Sequence, residues 1–271
     1  MRSNKSTQIF LIGLSLLYLV FLLFIPAIFI FYGAFHRGIE PFLEALGRRD
    51  FQQAVRLTLI ATAIAVPLNT VFGLCAAWAI THRQFRGRSL LLSFIDLPFS
   101  ISPVVAGLML VLLYGRNGWF GGWLEAIGFK VIFALPGIVM ATCFVTLPFV
   151  VREIIPLMQE IGQEQEVAAR TLGASEWQIF RRVTLPSIRW GLLYGVLLTN
   201  ARALGEFGAV AVVSGSVLGR TATLPIFVEQ AFKNYLTEAA FAAAAILALF
   251  GLVSLVLKEI LERRSHIPIK S

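Results

Sequence analysis

Six apolar stretches, each about as long as a membrane-spanning helix, limit what this chain can fold into. They are Ile9–Phe35, Ala54–Ile80, Leu90–Tyr114, Val131–Val151, Trp190–Val213 and Ala239–Leu257. A helix needs about 20 apolar residues to cross a bilayer, and these stretches lack the alternation of a membrane β-barrel. Only 14% of the residues are charged, against about 25% in soluble domains. The sequence therefore predicts an all-α membrane protein with six transmembrane helices, organised as one membrane domain over residues 1–271.

The distribution of Lys and Arg between the apolar stretches predicts the orientation. If the N-terminus is cytoplasmic, fourteen Lys and Arg residues fall on the cytoplasmic side and eight on the outside. The connection 81–89 alone carries three Arg and no acidic residue. Because basic loops stay in the cytoplasm, we expect both termini there. The first stretch is longer than the apolar core of a signal peptide, about 7–15 residues, so we expect it to be retained as a span.

Nucleic acid is not an expected partner, although the net charge is +8. The basic residues lie between apolar stretches and form no stripe with interleaved aromatic residues, so the partner they indicate is the lipid bilayer. Cys75 and Cys143 fall inside apolar stretches, which favours small buried side chains over a disulfide. The three histidines, His36, His82 and His266, do not cluster with them, and no metal site is expected.

A long polar stretch at residues 159–189 interrupts the apolar pattern between the fourth and fifth predicted spans. Glu160 to Arg170 is compatible with a helix, and Gly173 is placed to end it as a C-terminal cap. Ser175 with Gln178 three residues later has the spacing of a capping box for a second helix, which Pro186 would end. The pattern predicts two short helices hinged at Gly173 within a cytoplasmic loop of about residues 156–189.

The run VAARTLG at Val167–Gly173, followed by Leu185-Pro186, resembles the EAA motif of ABC importer permeases, EAA-x3-G-x9-I-x-LP. Five positions match the motif: Ala168, Ala169, Gly173, Leu185 and Pro186. Val167 stands where the motif has Glu, and Val183 stands where it has Ile. The resemblance implies a coupling helix that fits a groove on a cytosolic ATPase subunit. Glu166 or Arg170 would then supply the ion pair that Val167 cannot form.

The chain contains no GxxxxGK[ST] phosphate-binding loop. The resemblance therefore implies that ATP and Mg²⁺ are bound by partner ATPase subunits and that this chain carries no cofactor of its own. It implies a transport subunit, not an enzyme.

Two charged residues, Arg202 and Glu206, lie inside the fifth predicted span. A charge at the centre of a span costs about 2.5–3.5 kcal/mol on insertion scales. Their spacing of four places them on one helix face, where they can pair. Gly205 and Gly208 permit a bend or a close helix approach. Two interpretations stay open: a structural ion pair, or the lining of a translocation pathway in which Arg202 meets an anion and Glu206 restrains it.

The third predicted span carries Asp96 near its cytoplasmic end and two serines, Ser100 and Ser102, between Pro98 and Pro103. Proline leaves backbone carbonyl groups of a helix without a hydrogen-bond donor, and a serine hydroxyl can donate to them instead. This segment is therefore a candidate gate. Pro136 with Pro148 in the fourth span is a second candidate for a bend. Asp96 also fits a hydrated position at the membrane interface, where its role would be structural.

The segment RALGEFGA at 202–209 is shared by permeases for sulfate and molybdate. Its continuation VVSGSVLGRTATLPIFVE and the upstream IDLPFSISPVVAGLMLVLLYGRNGWFG resemble sulfate permease subunits of the CysW type, and the resemblance covers Leu90 to Glu262. It implies a bacterial inner-membrane importer that works by alternating access. The implied partners are a second related permease, two ABC ATPase subunits and an external sulfate-binding protein.

Several alternatives stay open at the level of sequence. A molybdate or tungstate permease would share the mechanism, and thiosulfate is not separated from sulfate. An intramembrane enzyme would need a carboxylate dyad, a Ser/His set or an HExxH metal site, and the sequence offers none. A purely structural membrane subunit is the third alternative. The outer connection 114–130, with Trp119 and Trp123, fits either an interfacial aromatic belt or a docking surface for an outside protein.

Overall fold

The structure, a computed structural model, describes residues 5–264 and the side chains of residues 8–260. This part of the chain is helical, without strands. The first seven helices are α1 (Lys5–Leu19), α2 (Ile25–Phe35), α3 (Ile39–Gly47), α4 (Arg49–His82), α5 (Arg88–Ser100), α6 (Pro103–Tyr114) and α7 (Gly121–Ala126). The others are α8 (Leu135–Ile161), α9 (Glu164–Thr171), α10 (Glu176–Ile179), α11 (Leu185–Leu204), α12 (Gly208–Ser214), α13 (Leu224–Lys233) and α14 (Thr237–Arg264).

Two π-helical segments, Val20–Phe24 and Phe180–Thr184, join helices without interrupting the helical path. The first lies between α1 and α2, just before Pro26 in the first turn of α2. The second joins α10 to α11. The chain ends, whose basic residues contribute to the predicted orientation, include residues outside the described part.

Four helical segments are long and apolar enough to cross a membrane: Gln8–Phe35, Arg49–His82, Leu135–Ile161 and Thr237–Ile260. Two further candidates are bent helix pairs. The pair α5 and α6 bends by 112°, and the helical path that ends in α11 bends by 53° against α12. The described residues thus hold four to six candidate spans. The third and fifth apolar stretches are therefore broken helices, and each break falls where the sequence permits a bend, before Pro103 and at Gly205.

The break between α5 and α6 has a direct cause in Pro103. A residue that precedes proline is driven out of the helical region, and Ser102 accordingly has φ −57° and ψ 135°. Pro103 then begins α6 in the first turn, where its missing N–H is not needed. The predicted bend is thus present just before Pro103, whereas Pro98 lies inside α5. Pro136 lies in the first turn of α8, and α8 continues through Pro148 without a break.

The centre of the fold is α8, which packs against α4, α5, α6, α11 and α12. Asn69 of α4 donates a hydrogen bond to the hydroxyl of Thr146 at 2.8 Å and another to the carbonyl of Cys143 at 2.9 Å. Asn69 is 2% exposed and Thr146 is fully buried. Because a buried amide must find partners, these bonds fix the register of α4 on α8.

At the other end of α4, Thr58 connects this helix to α13. The Thr58 hydroxyl accepts a hydrogen bond from the backbone N–H of Leu224 at 2.8 Å and donates to the carbonyl of Ala54 at 2.9 Å. Pro225 lies in the first turn of α13. The N-cap residue Thr223 makes no capping bond, and Thr58 serves the first turn instead.

The first helices expose almost all of their apolar surface. The span Gln8–Phe35 has no buried residue in its most apolar window, and its main attachment is α2 against α14. There the ring of Phe29 meets Phe241 edge-on. Exposed apolar surface on this scale needs lipid or a partner chain to cover it.

Helices α6 and α12 pack closely because Gly107 has no side chain. A Cβ at Gly107 would lie 2.6 Å from the carbonyl oxygen of Ala209 in α12. We expect Gly107→Ala to lower the melting temperature of the detergent-solubilised protein, since overpacking of this kind costs about 1–3 kcal/mol. Gly251→Ala is the control, because its Cβ would meet no atom within 4 Å. Equal melting temperatures for the two variants would contradict the close packing.

Candidate functional site

The polar loop between α8 and α11 folds as two short helices around Gly173. α8 extends to Ile161, so the first loop helix is α9, from Glu164, and not the predicted Glu160–Arg170. Gly162, with φ +71°, separates α8 from α9, and Gly173, with φ +84°, follows α9. Both values lie in the left-handed region that glycine adopts without steric cost. The predicted hinge at Gly173 is confirmed.

The predicted capping box is present at the start of α10. The backbone N–H of Gln178 donates to the Ser175 hydroxyl at 3.4 Å, and the backbone N–H of Ser175 donates to the Gln178 side chain at 2.8 Å. Beyond α10 the helical path continues through the π-helical segment into α11. Leu185 and Pro186 therefore form the first turn of α11, where proline is tolerated, and Pro186 does not end the second helix as predicted.

Apolar side chains cover the outer surface of this loop. Leu172 is 88% exposed, Trp177 68% and Val167 50%. Ala168 is also exposed, and Ala169 is half-buried. Arg170 forms a bidentate pair with Glu176 of α10, at 2.9 and 3.1 Å. The side chain of Arg170 therefore ties α9 to α10 within the loop.

Glu166 lies on the opposite, inner side of α9. It is 7% exposed, and His82 and Thr184 bind its carboxylate at 2.7 and 2.5 Å. Both carboxylate oxygens of Glu166 are therefore engaged within the chain, and the ion pair of Glu166 or Arg170 with a partner stays a prediction. Sequence reasoning missed His82 because it lies 84 residues away and carries no local signal.

Arg202 and Glu206 form the expected ion pair, with 2.7 Å between Nη1 and Oε2. They do not lie on one continuous helix, because α11 ends at Leu204 and Glu206 lies in the break before α12. The other carboxylate oxygen of Glu206 accepts the backbone N–H of Ala209 at 3.0 Å. Glu206 is 1% exposed. The Glu206 carboxylate thus binds both the side chain of Arg202 and the backbone of the first turn of α12.

The two glycines of this segment have different roles. Gly205 is the C-cap of α11, and its surroundings are open, since a Cβ there would meet only the carbonyl oxygen of Ala201, at 3.8 Å. Gly208 packs against α6, since a Cβ there would lie 2.9 Å from Pro103. Gly208 therefore brings the break before α12 against the break between α5 and α6.

A cavity of about 290 Å³, open to the surface, lies at the break between α5 and α6 and against the last turn of α11. Arg202 lines it together with Ser100 and Ser102, and Phe99 and Phe149 are also among the lining residues. The Arg202 side chain keeps 34% exposure. The structure thus brings together the arginine and the two serines that the sequence places on different spans. Irregular backbone at membrane depth is tolerated where it lines a cavity.

A second ion pair lies beside this cavity. Arg152 of α8 pairs with Asp96 of α5 at 2.9 Å, and its guanidinium lies 4.7 Å from the ring centre of Phe99. The structure therefore places Asp96 in an ion pair between α5 and α8. Sequence reasoning missed Arg152, because its position at the end of an apolar stretch is typical of an ordinary flanking charge.

A larger cavity, of about 690 Å³, lies between the end of α6, α7 and residues 128–133. Trp119 and Trp123 are close in sequence to residues that line this cavity. They are 88% and 65% exposed. The predicted outer connection 114–130 therefore presents both tryptophans at the surface. Among the described residues, no group of three His, Cys, Asp or Glu side chains is placed to hold a metal ion.

Residues 69–267 match the family described as "Binding-protein-dependent transport system inner membrane component". The chain belongs to this permease family. The matched range includes the loop, both broken helices and the cavity beside Arg202. The resemblance to ABC importer permeases that the loop motif indicates is confirmed.

Relatives within this permease family are similar along almost the whole chain. The sulfate transport system permease protein CysW of Synechocystis sp. is 68% identical over 94% of this chain and 92% of its own length. CysW of Escherichia coli is 52% identical over 94% and 88%. The sulfate transport system permease protein CysT of Escherichia coli is 38% identical, over 90% of each chain. These relatives are named as permease subunits of transport systems.

Solved structures of importers share the fold of this permease. A bacterial ABC transporter involved in the import of the acidic polysaccharide alginate has a TM-score of 0.77 at 19% identity, over 98% of both chains. A bacterial alginate ABC transporter in complex with an alginate pentasaccharide-bound periplasmic protein also gives 0.77, at 17% identity, over 98% and 96%. The helical architecture is therefore that of an ABC importer permease.

Proposed function

We propose that this chain is the permease subunit of an ATP-driven ABC importer that carries sulfate across the bacterial inner membrane by alternating access. The observation that carries the proposal is the 68% identity to a sulfate permease over 94% of the chain. The cavity beside Arg202 supports it, because a guanidinium at the meeting point of two broken helices suits an oxyanion.

The topology that fits this function has six spans, with each bent helix pair counted as one span. Residues 1–271 then form a single membrane domain with both termini in the cytoplasm. The excess of basic residues on that side supports this orientation. The loop of about residues 156–189, between the fourth and fifth spans, would be cytoplasmic.

In that orientation the loop is the coupling element. Its exposed apolar side chains Val167, Leu172 and Trp177 would fill a groove on a cytosolic ATPase, with Ala168 and Ala169 allowing a close approach. Gly173, Leu185 and Pro186 shape the loop, whereas Glu166 and Arg170 act inside it through His82 and Glu176. ATP and Mg²⁺ would bind to two ATPase subunits and not to this chain.

Two further partners complete the assembly. A second, related permease would form a heterodimer with this chain, and the 38% identity to CysT supports such a pair of related subunits. An external sulfate-binding protein would dock at the outer surface near Trp119 and Trp123. Both side chains are exposed, and tryptophan is enriched among the residues that dominate binding at protein–protein interfaces.

The pathway proposal uses the cavity at the break between α5 and α6. Arg202 would meet the sulfate dianion there, with the hydroxyls of Ser100 and Ser102 as neutral donors. Glu206 would restrain Arg202, and the backbone at Gly205 and Gly208 would shape the opening. Because Glu206 offsets one positive charge, the anion is held weakly enough to be released.

Reconstitution tests the cargo directly. Proteoliposomes would contain this chain, the related permease and the ATPase, with the sulfate-binding protein outside. We expect ATP-dependent uptake of labelled sulfate to exceed that of molybdate about tenfold, equal to ~1.4 kcal/mol of discrimination. Faster molybdate uptake would favour the alternative of a molybdate or tungstate permease, with which the segment 202–209 is shared. No ATP-dependent uptake of either anion would reject the importer proposal.

A further inference from the structure

The carboxylate of Glu166 is the meeting point of three helical elements. The imidazole Nε2 of His82 donates a hydrogen bond to Oε2 at 2.7 Å, and the hydroxyl of Thr184 donates to Oε1 at 2.5 Å. His82 is the last residue of α4, Glu166 belongs to α9, and Thr184 ends the π-helical segment before α11. One side chain therefore connects the loop to two long helices.

Burial makes this connection strong. The side chains of His82 and Glu166 are only 12% and 9% exposed, and Thr184 as a whole is 5% exposed. Hydrogen bonds to a carboxylate are short and directional, and a buried carboxylate that loses its donors is strongly disfavoured. Movement of α9 away from either donor is therefore opposed, and α9 is expected to move together with both helices.

The contact between α9 and α4 joins two helices that are not neighbours along the chain. α9 follows α8 after only two residues, Gly162 and Gln163, whereas α11 is reached along the chain through α10 and the π-helical segment. α4 reaches the loop only across space, through His82 and through a bond of 3.3 Å from the Gln163 side chain to the carbonyl of Thr81. These bonds give α4 a direct contact with the loop, in addition to the packing of α4 on α8 and α11.

The π-helical segment Phe180–Thr184 supplies the second contact. A π turn inserts one extra residue into a helix and changes the direction of the side chains at its end. Here it ends at Thr184, whose hydroxyl points to Glu166, while the next helix begins at Leu185. The irregular turn and the buried carboxylate thus belong to one structural unit.

We propose that Glu166 is a positioning residue that clamps the loop helix α9 to α4 through His82 and to α11 through Thr184. The clamp transmits loop movement directly to α4. This inference rests on the proposed function of the loop as the site where ATPase movement enters the membrane domain. Glu166 acts from inside the loop, whereas the exposed residues around Val167 meet the partner.

The test uses the complete reconstituted complex and compares pairs of variants that keep or remove one hydrogen-bond donor. Thr184→Val removes the hydroxyl at nearly constant volume, and Thr184→Ser keeps it. His82→Leu removes the ring donor, and His82→Gln can still donate to Glu166. The readouts are sulfate imported per ATP hydrolysed, the basal ATPase rate, and copurification of the ATPase subunits.

We expect Thr184→Val and His82→Leu each to lower the sulfate imported per ATP hydrolysed about tenfold, equal to ~1.4 kcal/mol in coupling. Basal ATPase rate and copurification should stay at the level of the unchanged chain. Thr184→Ser and His82→Gln should recover most of the coupling. A merely structural role would not separate import from hydrolysis in this way.

Two outcomes would overturn the clamp. The first is normal coupling in both donor-free variants. The second is a loss of assembly or of basal ATPase rate that accompanies every loss of import, because the network would then serve folding alone. Failure of the proposed function gives a different result, since the complex with the unchanged chain would then import no sulfate with ATP.

Discussion

Gly173→Val is expected to abolish most ATP-driven sulfate uptake and to weaken copurification of the ATPase. Gly173 has φ +84°, and a β-branched residue rarely adopts this conformation. The left-handed region costs an ordinary residue about 1–2 kcal/mol. The strain would fall on two bonds that hold the turn, from Gly173 N–H to Arg170 at 3.0 Å and from Ala174 N–H to Ala169 at 3.1 Å.

Gly173→Asn is the matched control for this prediction. Asparagine tolerates the left-handed region better than other residues, and no atom lies within 4 Å of the position that a Cβ would take. Uptake should therefore be largely retained. The coupling role of the loop would be wrong if Gly173→Val imported sulfate normally with normal ATPase association.

Arg202→Ala is expected to reduce sulfate uptake at least tenfold, a loss of ~1.4 kcal/mol or more. The variant has two effects that must be separated. It removes a guanidinium from the cavity, and it leaves the buried carboxylate of Glu206 without its ion-pair partner. Removal of one partner from a buried pair typically destabilises a protein by about 3–5 kcal/mol, so the single variant also tests assembly.

The double variant Arg202→Gln with Glu206→Gln separates the two effects. The amide that replaces the Glu206 carboxylate would be neutral, and its oxygen can still accept the N–H of Ala209, so assembly should recover. If Arg202 meets the anion, uptake should stay low although the complex assembles. Recovery of both assembly and uptake would instead favour the structural interpretation of the ion pair.

Much of the fold is predictable because span prediction depends only on length and apolarity. Each apolar stretch overlaps one long helical segment or one bent helix pair. The bend at Pro103 is predictable too, since proline acts on its own neighbour. The break at Gly205 is predictable only in part: Gly205 and Gly208 permit a bend, but glycine is common within membrane helices. Tertiary contacts decide where the helix breaks, here the close packing of Gly208 on Pro103.

The loop shows the same division between local and distant causes. The capping box of Ser175 and the hinge at Gly173 follow from the sequence, since each depends on a few neighbouring residues. The inward position of Glu166 does not, because a helix as short as α9 presents no clear apolar stripe. Its orientation depends on His82, and the ion pair of Asp96 with Arg152 likewise joins residues far apart in the chain.

The 34-residue helix α4 makes one contact described above in its first half, through Thr58, and another at its last residue, His82. From Thr58, which serves the first turn of α13, to His82, which binds Glu166, it spans about 36 Å at 1.5 Å per residue. Coupling between two sites is reciprocal in free energy. If α4 transmits loop movement to α13, any protein that stabilises one position of α13 must bias the loop by the same free energy. Binding of such a protein at the outer surface would then change the affinity of the ATPase subunits for nucleotide on the opposite side of the bilayer.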